Sequence, residues 1–229
     1  MSNVFLQALE RFKHLPNALL LLALLLQVLS FPWLEHFAAG RLALVGFDWV
    51  ILVLALRAAR ATGIESRLGY VMLIPAVALH ALEVLFGWNG LYVASMLSQA
   101  LFHGFVVVCL LRYVVRDDVV TLDEVWALAS LYVLLAYVFA YIYALIEHSA
   151  PGAFFINPSN NPDGLTGWWE LLYFSFTCLT SVGFGEITPV SDVARSVVML
   201  QQVTGVLYLA IVISRLIGIQ TRGRNGQPP

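Results

Sequence analysis

Five consecutive residues, Ser181-Val182-Gly183-Phe184-Gly185, have the types and spacing to hold a dehydrated cation. A cation leaving water must have its hydration shell replaced. Successive backbone carbonyls aimed at one axis can do this, and they select among ions by number, spacing and field strength. Aiming them inward takes alternating conformations that include positive φ, which glycine adopts without steric cost. Gly183 and Gly185 meet that need. Val182 and Phe184 are expected to point outward and pack, Ser181 to add a hydroxyl oxygen at the inner mouth, and Glu186 to draw cations to the outer mouth. The apolar stretch Tyr173–Thr180 runs into these five residues without a charged residue between and reads as a short helix. If that helix descends from outside, its carbonyl end carries partial negative charge and favours a cation in mid-pore.

The elements that must position this stretch are membrane spans. The chain has 229 residues, 60% hydrophobic and 11% charged, against about a quarter charged in a soluble domain. Irregular backbone at membrane depth is tolerated only where it is buried in protein or lines a water-filled path. Six segments approach the roughly 20 apolar residues that a spanning helix needs: 16–34, 42–59, 69–86, 90–112, 125–147 and 193–217. The segment around 168–180 is too short to cross and is expected to enter and stop. The first apolar run is read as a retained span, since no small-residue cleavage site follows it. Arg11, Lys13, Arg57, Arg60, Arg67, Arg112, Arg116, Arg215, Arg222 and Arg224 fall on one side of a six-span layout, and only Arg41 and Arg195 on the other. The positive-inside rule then puts both termini in the cytoplasm of a multi-pass protein of the plasma or inner cell membrane.

The loops refine this layout. Gly87-Trp88-Asn89-Gly90 reads as a tight outer turn, and Thr121 with Glu124 as a capping box opening span five. Ser149–Gly167, rich in Pro, Gly, Asn and Ser, reads as an ordered loop without regular structure, with Trp168 and Trp169 at the interface beyond it. The expected organisation is a four-helix bundle over 1–116, a cytoplasmic linker over 117–124, a pore domain over 125–218 and a short tail over 219–229. The fold class is all-α membrane protein, with six transmembrane helices plus a re-entrant helix and loop. Cys109 and Cys178 lie in apolar segments and do not suggest a disulfide framework. The net charge of -2 argues neither for nor against a nucleic-acid partner, but no basic cluster large enough for one appears, and none is expected. Nothing has the spacing of a metal cluster, a nucleophile triad or a phosphate loop, so no enzyme activity and no cofactor are expected.

Ser181–Gly185 resembles the selectivity filter of the potassium-channel pore-loop superfamily, whose loop reads Thr-Val-Gly-Tyr-Gly. The likeness extends further: Tyr173–Thr180 is similar to the family's pore helix, Glu186-Ile-Thr-Pro189 to its post-filter Asp-x-x-Pro, and Gln201–Gly218 to its inner helix, with Gly205 as a hinge or a close-packing residue. The resemblance implies a homotetramer in contact with membrane lipids. It implies K+ as the permeant ion, bound at Ser181, Val182, Gly183 and Phe184, and passive conduction. The six-span layout is also similar to the voltage-gated branch, but Leu91–Leu111 carries no lysine or arginine where that branch repeats a basic residue, so steep voltage gating has no source. Ser181 for threonine, Phe184 for tyrosine and Glu186 for aspartate depart from the family pattern and imply potassium selectivity that is imperfect.

Other readings use the same residues. One is a weakly selective or Na+-permeable cation channel on this scaffold; another is a non-conducting subunit with a vestigial pore loop. Asp48, His80, Glu83, Gln99 and His103 lie in or near the first four spans, where ionisable groups are costly and usually paired. A structural hydrogen-bond network is preferred there over a histidine pH sensor. Glu147 and His148 at the outer end of span five read as a boundary pair, Asp192 and Arg195 as a surface pair, and Arg57, Arg60 and Arg67 as topology anchors that could meet anionic lipid.

Overall fold

The computed structural model describes residues 15–61, 66–116, 121–161, 164 and 166–225. Arg11, Lys13, the first half of the linker (117–120) and the last four residues of the tail lie outside them. Apolar runs of about 20 residues leave the backbone no polar partner but itself, and helix is the outcome. In chain order the elements are α1 (Pro16–Leu34), α2 (Ala38–Ala61), α3 (Ser66–Phe86), α4 (Asn89–Val115), α5 (Leu122–Ser149), β1 (Phe154–Ile156), a 3-10 turn (Pro158–Asn160), α6 (Trp168–Leu179), β2 (Ile187–Pro189) and α7 (Asp192–Asn225). Six of these helices, α1–α5 and α7, are long and apolar enough to cross a membrane. The chain is an all-α membrane protein with the expected six spans. At 12 residues, α6 stops short of a crossing, also as expected.

Local sequence explains the ends. Thr121 Oγ1 accepts the Glu124 N–H (3.3 Å) while the Glu124 carboxylate accepts the Thr121 N–H (3.4 Å), a reciprocal cap at the start of α5. α3 closes on Gly87, which sits at φ 61 and donates its N–H to Glu83 O at 2.8 Å. Pro32 in α1 and Pro75 in α3 lie inside their helices, a placement that membrane helices tolerate. α7 continues through Asn225, past the boundary expected at residue 218.

The chain divides into two units. One takes residues 1–78 and 102–134. In it α1 packs on α2, and Leu20, Leu24, Ile51, Leu52, Phe102, Val106, Leu110 and Leu131 are buried. Asn17, fully buried, donates to Asp123 Oδ2 (2.6 Å), and its carbonyl accepts the Ser130 hydroxyl (3.0 Å), pinning the start of α1 to the start of α5.

The second unit takes residues 79–101 and 135–229. Here α6 packs on α7, and β1 pairs antiparallel with β2 in the register Phe154↔Pro189, Phe155↔Thr188, Ile156↔Ile187. The expectation of a loop without regular structure over 149–167 is corrected at this point. Phe154-Phe155-Ile156 is a short β-favouring run whose partner strand lies about thirty residues downstream, a distance over which a local reading of Pro, Gly and Asn content carries no signal.

Candidate functional site

The site is built on α6. Its middle is anchored by a polar chain through three helices. The Ser175 hydroxyl donates to Ala136 O in α5 at 2.7 Å. From α7, the Gln201 amide donates to Ser175 O (3.0 Å) and Oγ (2.6 Å), and the Tyr143 hydroxyl of α5 donates to Gln201 Oε1. Ser175, Gln201 and Tyr143 are all fully buried. A buried polar group left unpaired is expensive, so this chain holds α6 in one register between α5 and α7. Around it Tyr143, Phe154 and Phe174 form an aromatic cluster with ring centres 5.1 to 5.6 Å apart, and Trp168 at the start of α6 packs on Tyr137 and Tyr141.

The lower end of α6 rests against α7 at Gly205. A Cβ added there would lie 2.3 Å from Leu179 O, closer than atoms can approach. The glycine is therefore explained by close packing, one of its two expected roles, against the last turn of α6.

From Thr180 the chain leaves the helix. The Thr180 N–H and hydroxyl both reach Phe176 O (3.0 and 2.7 Å), and the Ser181 N–H reaches Cys178 O (3.1 Å). The N–H groups of Val182 and Gly183 both turn back onto Thr177 O, at 3.0 and 3.2 Å. Ser181, Gly183 and Gly185 take φ of 58°, 56° and 80°. Left-handed backbone thus recurs at alternate residues, the pattern expected of two glycines but extended to Ser181. A non-glycine residue in that conformation costs about 1–2 kcal/mol, and no sequence signal marked Ser181 for it. Val182 and Phe184 are exposed on the single chain.

Beyond Gly185 the loop is tied down again. Phe184 stacks on Tyr173, ring planes 3° from parallel and centres 6.5 Å apart, and the Tyr173 hydroxyl donates to Glu186 Oε2 at 2.8 Å. Desolvation, with Glu186 adding to it, pushes the Tyr173 phenol above its ordinary pKa. Phe184 lacks the phenol of the related loop, and α6 supplies one to Glu186 instead. Glu186 O accepts the Asn157 N–H (3.0 Å), and Ala153 O accepts the Val190 N–H (2.8 Å). The Glu147 carboxylate takes the N–H groups of Gly152 (2.7 Å) and Phe154 (3.0 Å), so Glu147 is a loop clamp rather than one half of a boundary pair. A cavity of about 180 Å³ lined by Ile156, Trp169, Glu170, Tyr173, Glu186 and Ile187 adjoins this frame.

Sequence reasoning placed Ser181, Val182, Gly183, Phe184, Gly185, Glu186 and Gly205 in the site and missed Tyr143, Tyr173, Ser175 and Gln201. Gln201, an amide inside an apolar span, was the available signal. Asp192 and Arg195 form the expected exposed pair at 3.8 Å, and Arg195 Nε also donates to Pro189 O. Of the polar residues in the first four spans, Asp48 accepts from Gln27 across α1 and α2, and Gln99 Nε2 donates to His80 Nδ1 at 3.2 Å across α3 and α4. Among the described residues no group of three His, Cys, Asp or Glu gathers as a metal site.

Comparison with known proteins concerns the same segment. Residues 128–221 match a family model described as ion channel. Protein LctB of Bacillus caldotenax is 29% identical over 98 residues, which are 42% of this chain and 72% of that protein. Protein LctB of Geobacillus stearothermophilus matches to the same extent. The matched segment holds most of α5, the strand pair, α6, the loop of alternating φ and the spanning part of α7. Over that segment, the chain is similar to ion channels.

Proposed function

We propose that this chain is the subunit of a homotetrameric, potassium-selective channel of the cell membrane, with both termini cytoplasmic. The observation that carries the reading is the recurrence of left-handed backbone at Ser181, Gly183 and Gly185 directly after a helix too short to cross. Each chain holds one such loop, so a closed ring of carbonyls needs several copies; four is the count the pore-loop family implies. The exposed apolar residues of α7, among them Met199, Val203, Val206 and Ile213, suit burial against neighbouring copies or lipid. In this reading the carbonyls of Ser181, Val182, Gly183 and Phe184 replace the hydration shell of K+, the Ser181 hydroxyl adds an oxygen at the inner mouth, and Glu186 concentrates cations at the outer one. Ions descend their gradient, with no bond made or broken.

The pore domain of the proposal is 125–218, preceded by a bundle whose fourth span carries no gating charge. One charge crossing the field contributes about 2.3 kcal/mol per 100 mV, so steep voltage dependence is not expected. Gly205 acts first by close packing. A hinge there would require α7 to part from Leu179 O.

Reconstitution into liposomes, with K+ and Na+ fluxes compared with and without barium, tests the reading. It requires a K+ flux that exceeds the Na+ flux and that barium blocks. Equal fluxes would leave the weakly selective cation channel. A purified tetramer passing neither ion would leave the vestigial subunit.

A further inference from the structure

Away from the filter, one cavity gathers a carboxylate, three aromatic rings and an amide. It measures about 220 Å³ and is lined by Glu83, Gly87, Trp88, Asn89, Tyr92 and His148. Its walls are the end of α3, the two-residue turn, the first turn of α4 and the last turn of α5. The Tyr92 and His148 rings pack 5.0 Å apart, tilted by 33°. Trp88 is 67% exposed, its ring 5.6 Å from that of Phe86. Glu83 is half-buried, its Oε2 enclosed, with the Ser95 hydroxyl of α4 as a hydrogen-bonding neighbour of the carboxylate. The preceding residue of α5, Glu147, is already occupied by two backbone N–H groups.

We propose that this cavity binds a small organic ammonium cation. A single hydroxyl does not replace the water lost by a half-buried carboxylate, which ionises at lower cost when it meets a cation, and Glu83 sets the sign of the occupant. Aromatic faces of Trp and Tyr attract an ammonium group by about 0.5–2 kcal/mol each, and Trp88 and Tyr92 supply two of them. The volume falls below the roughly 300 Å³ at which ordinary ligand pockets begin, which restricts the occupant to something near the size of choline. A tightly held transition metal fits less well, because such sites take three or four protein ligands and the cavity offers one carboxylate and one imidazole. Glu83 and the absence of any lysine or arginine from the lining disfavour an anion.

Choline chloride titrated calorimetrically into the purified full-length protein in detergent, with sodium chloride as the ionic control, tests the site. Saturable binding is expected in the wild type. Glu83→Gln, which keeps the shape of the side chain, and Trp88→Ala, at an exposed position, should each weaken it by about tenfold or more. Gly183→Ala should leave it unchanged, which separates the cavity from any ammonium site at the pore mouth. No saturable binding in the wild type, wild-type affinity in both cavity variants, or a loss confined to Gly183→Ala would overturn the proposal.

Discussion

The pore segment and the first four spans hold their buried polar side chains differently. In the pore segment, Gln201 is bonded at both ends of its amide, to Tyr143 on one side and Ser175 on the other, and the chain runs on to Ala136 O. Three helices are tied at one point, on the helix that leads into the loop of alternating φ. In the first four spans, Gln27 bonds Asp48, Gln99 bonds His80, and Asn17 reaches Asp123 and Ser130 in α5, none of these bonds involving α6. A network tied to α6 fixes the helix that leads into the loop, because its members share bonds with one another. The difference in place predicts that substitutions in that network disturb conduction as well as stability, while those among the earlier spans disturb stability alone.

The largest effect should come from the loop that the network positions. Gly183→Ala places a Cβ on left-handed backbone at about 1–2 kcal/mol per copy. In the proposed tetramer, where four copies close one ring, selective K+ flux should fall to the liposome background; retained flux would uncouple the φ pattern from function. Next, Gln201→Leu strands the Tyr143 hydroxyl in the interior at about 1–3 kcal/mol and leaves the Ser175 hydroxyl with its bond to Ala136 O alone. Both the thermal unfolding midpoint and the K+ flux should drop. Gly205→Ala drives a methyl into Leu179 O, an overpacking of about 1–3 kcal/mol, and flux measured at fixed protein density should decline with the midpoint. Tyr173→Phe removes one hydrogen bond to Glu186, worth about 0.5–1.5 kcal/mol at an exposed position. The K+ to Na+ ratio should fall while the midpoint scarcely moves. The smallest effect on conduction belongs to the contrasting region. Gln99→Leu should cost about 1 kcal/mol of stability, lowering the midpoint, and leave the K+ to Na+ ratio at its wild-type value. A changed ratio there would erase the distinction between the two regions.

The two regions also differ in how much of them can be read from the residues. Spans are legible because a length of about 20 apolar residues is a direct physical demand of the bilayer, and all six were found to within a few residues. The loop is legible because Gly183 and Gly185 answer a demand on φ that few other residues can meet. Ser181 at φ 58 escaped because its side chain does not call for that conformation; the hydrogen bonds from Val182 and Gly183 to Thr177 O around it impose it. Strand β1 and the bond from Tyr173 to Glu186 escaped because each depends on a partner distant in sequence. Gln27 escaped for the same reason: an amide in an apolar helix signals a partner without naming it, and Asp48 is known as that partner only once α1 and α2 are seen packed.

The permeability ratio of K+ to Na+, taken from the reversal potential of the reconstituted wild-type protein under bi-ionic conditions, tests the central claim most directly. The account predicts a ratio well above one that collapses in Gly183→Ala. A ratio of one in the wild type would contradict it.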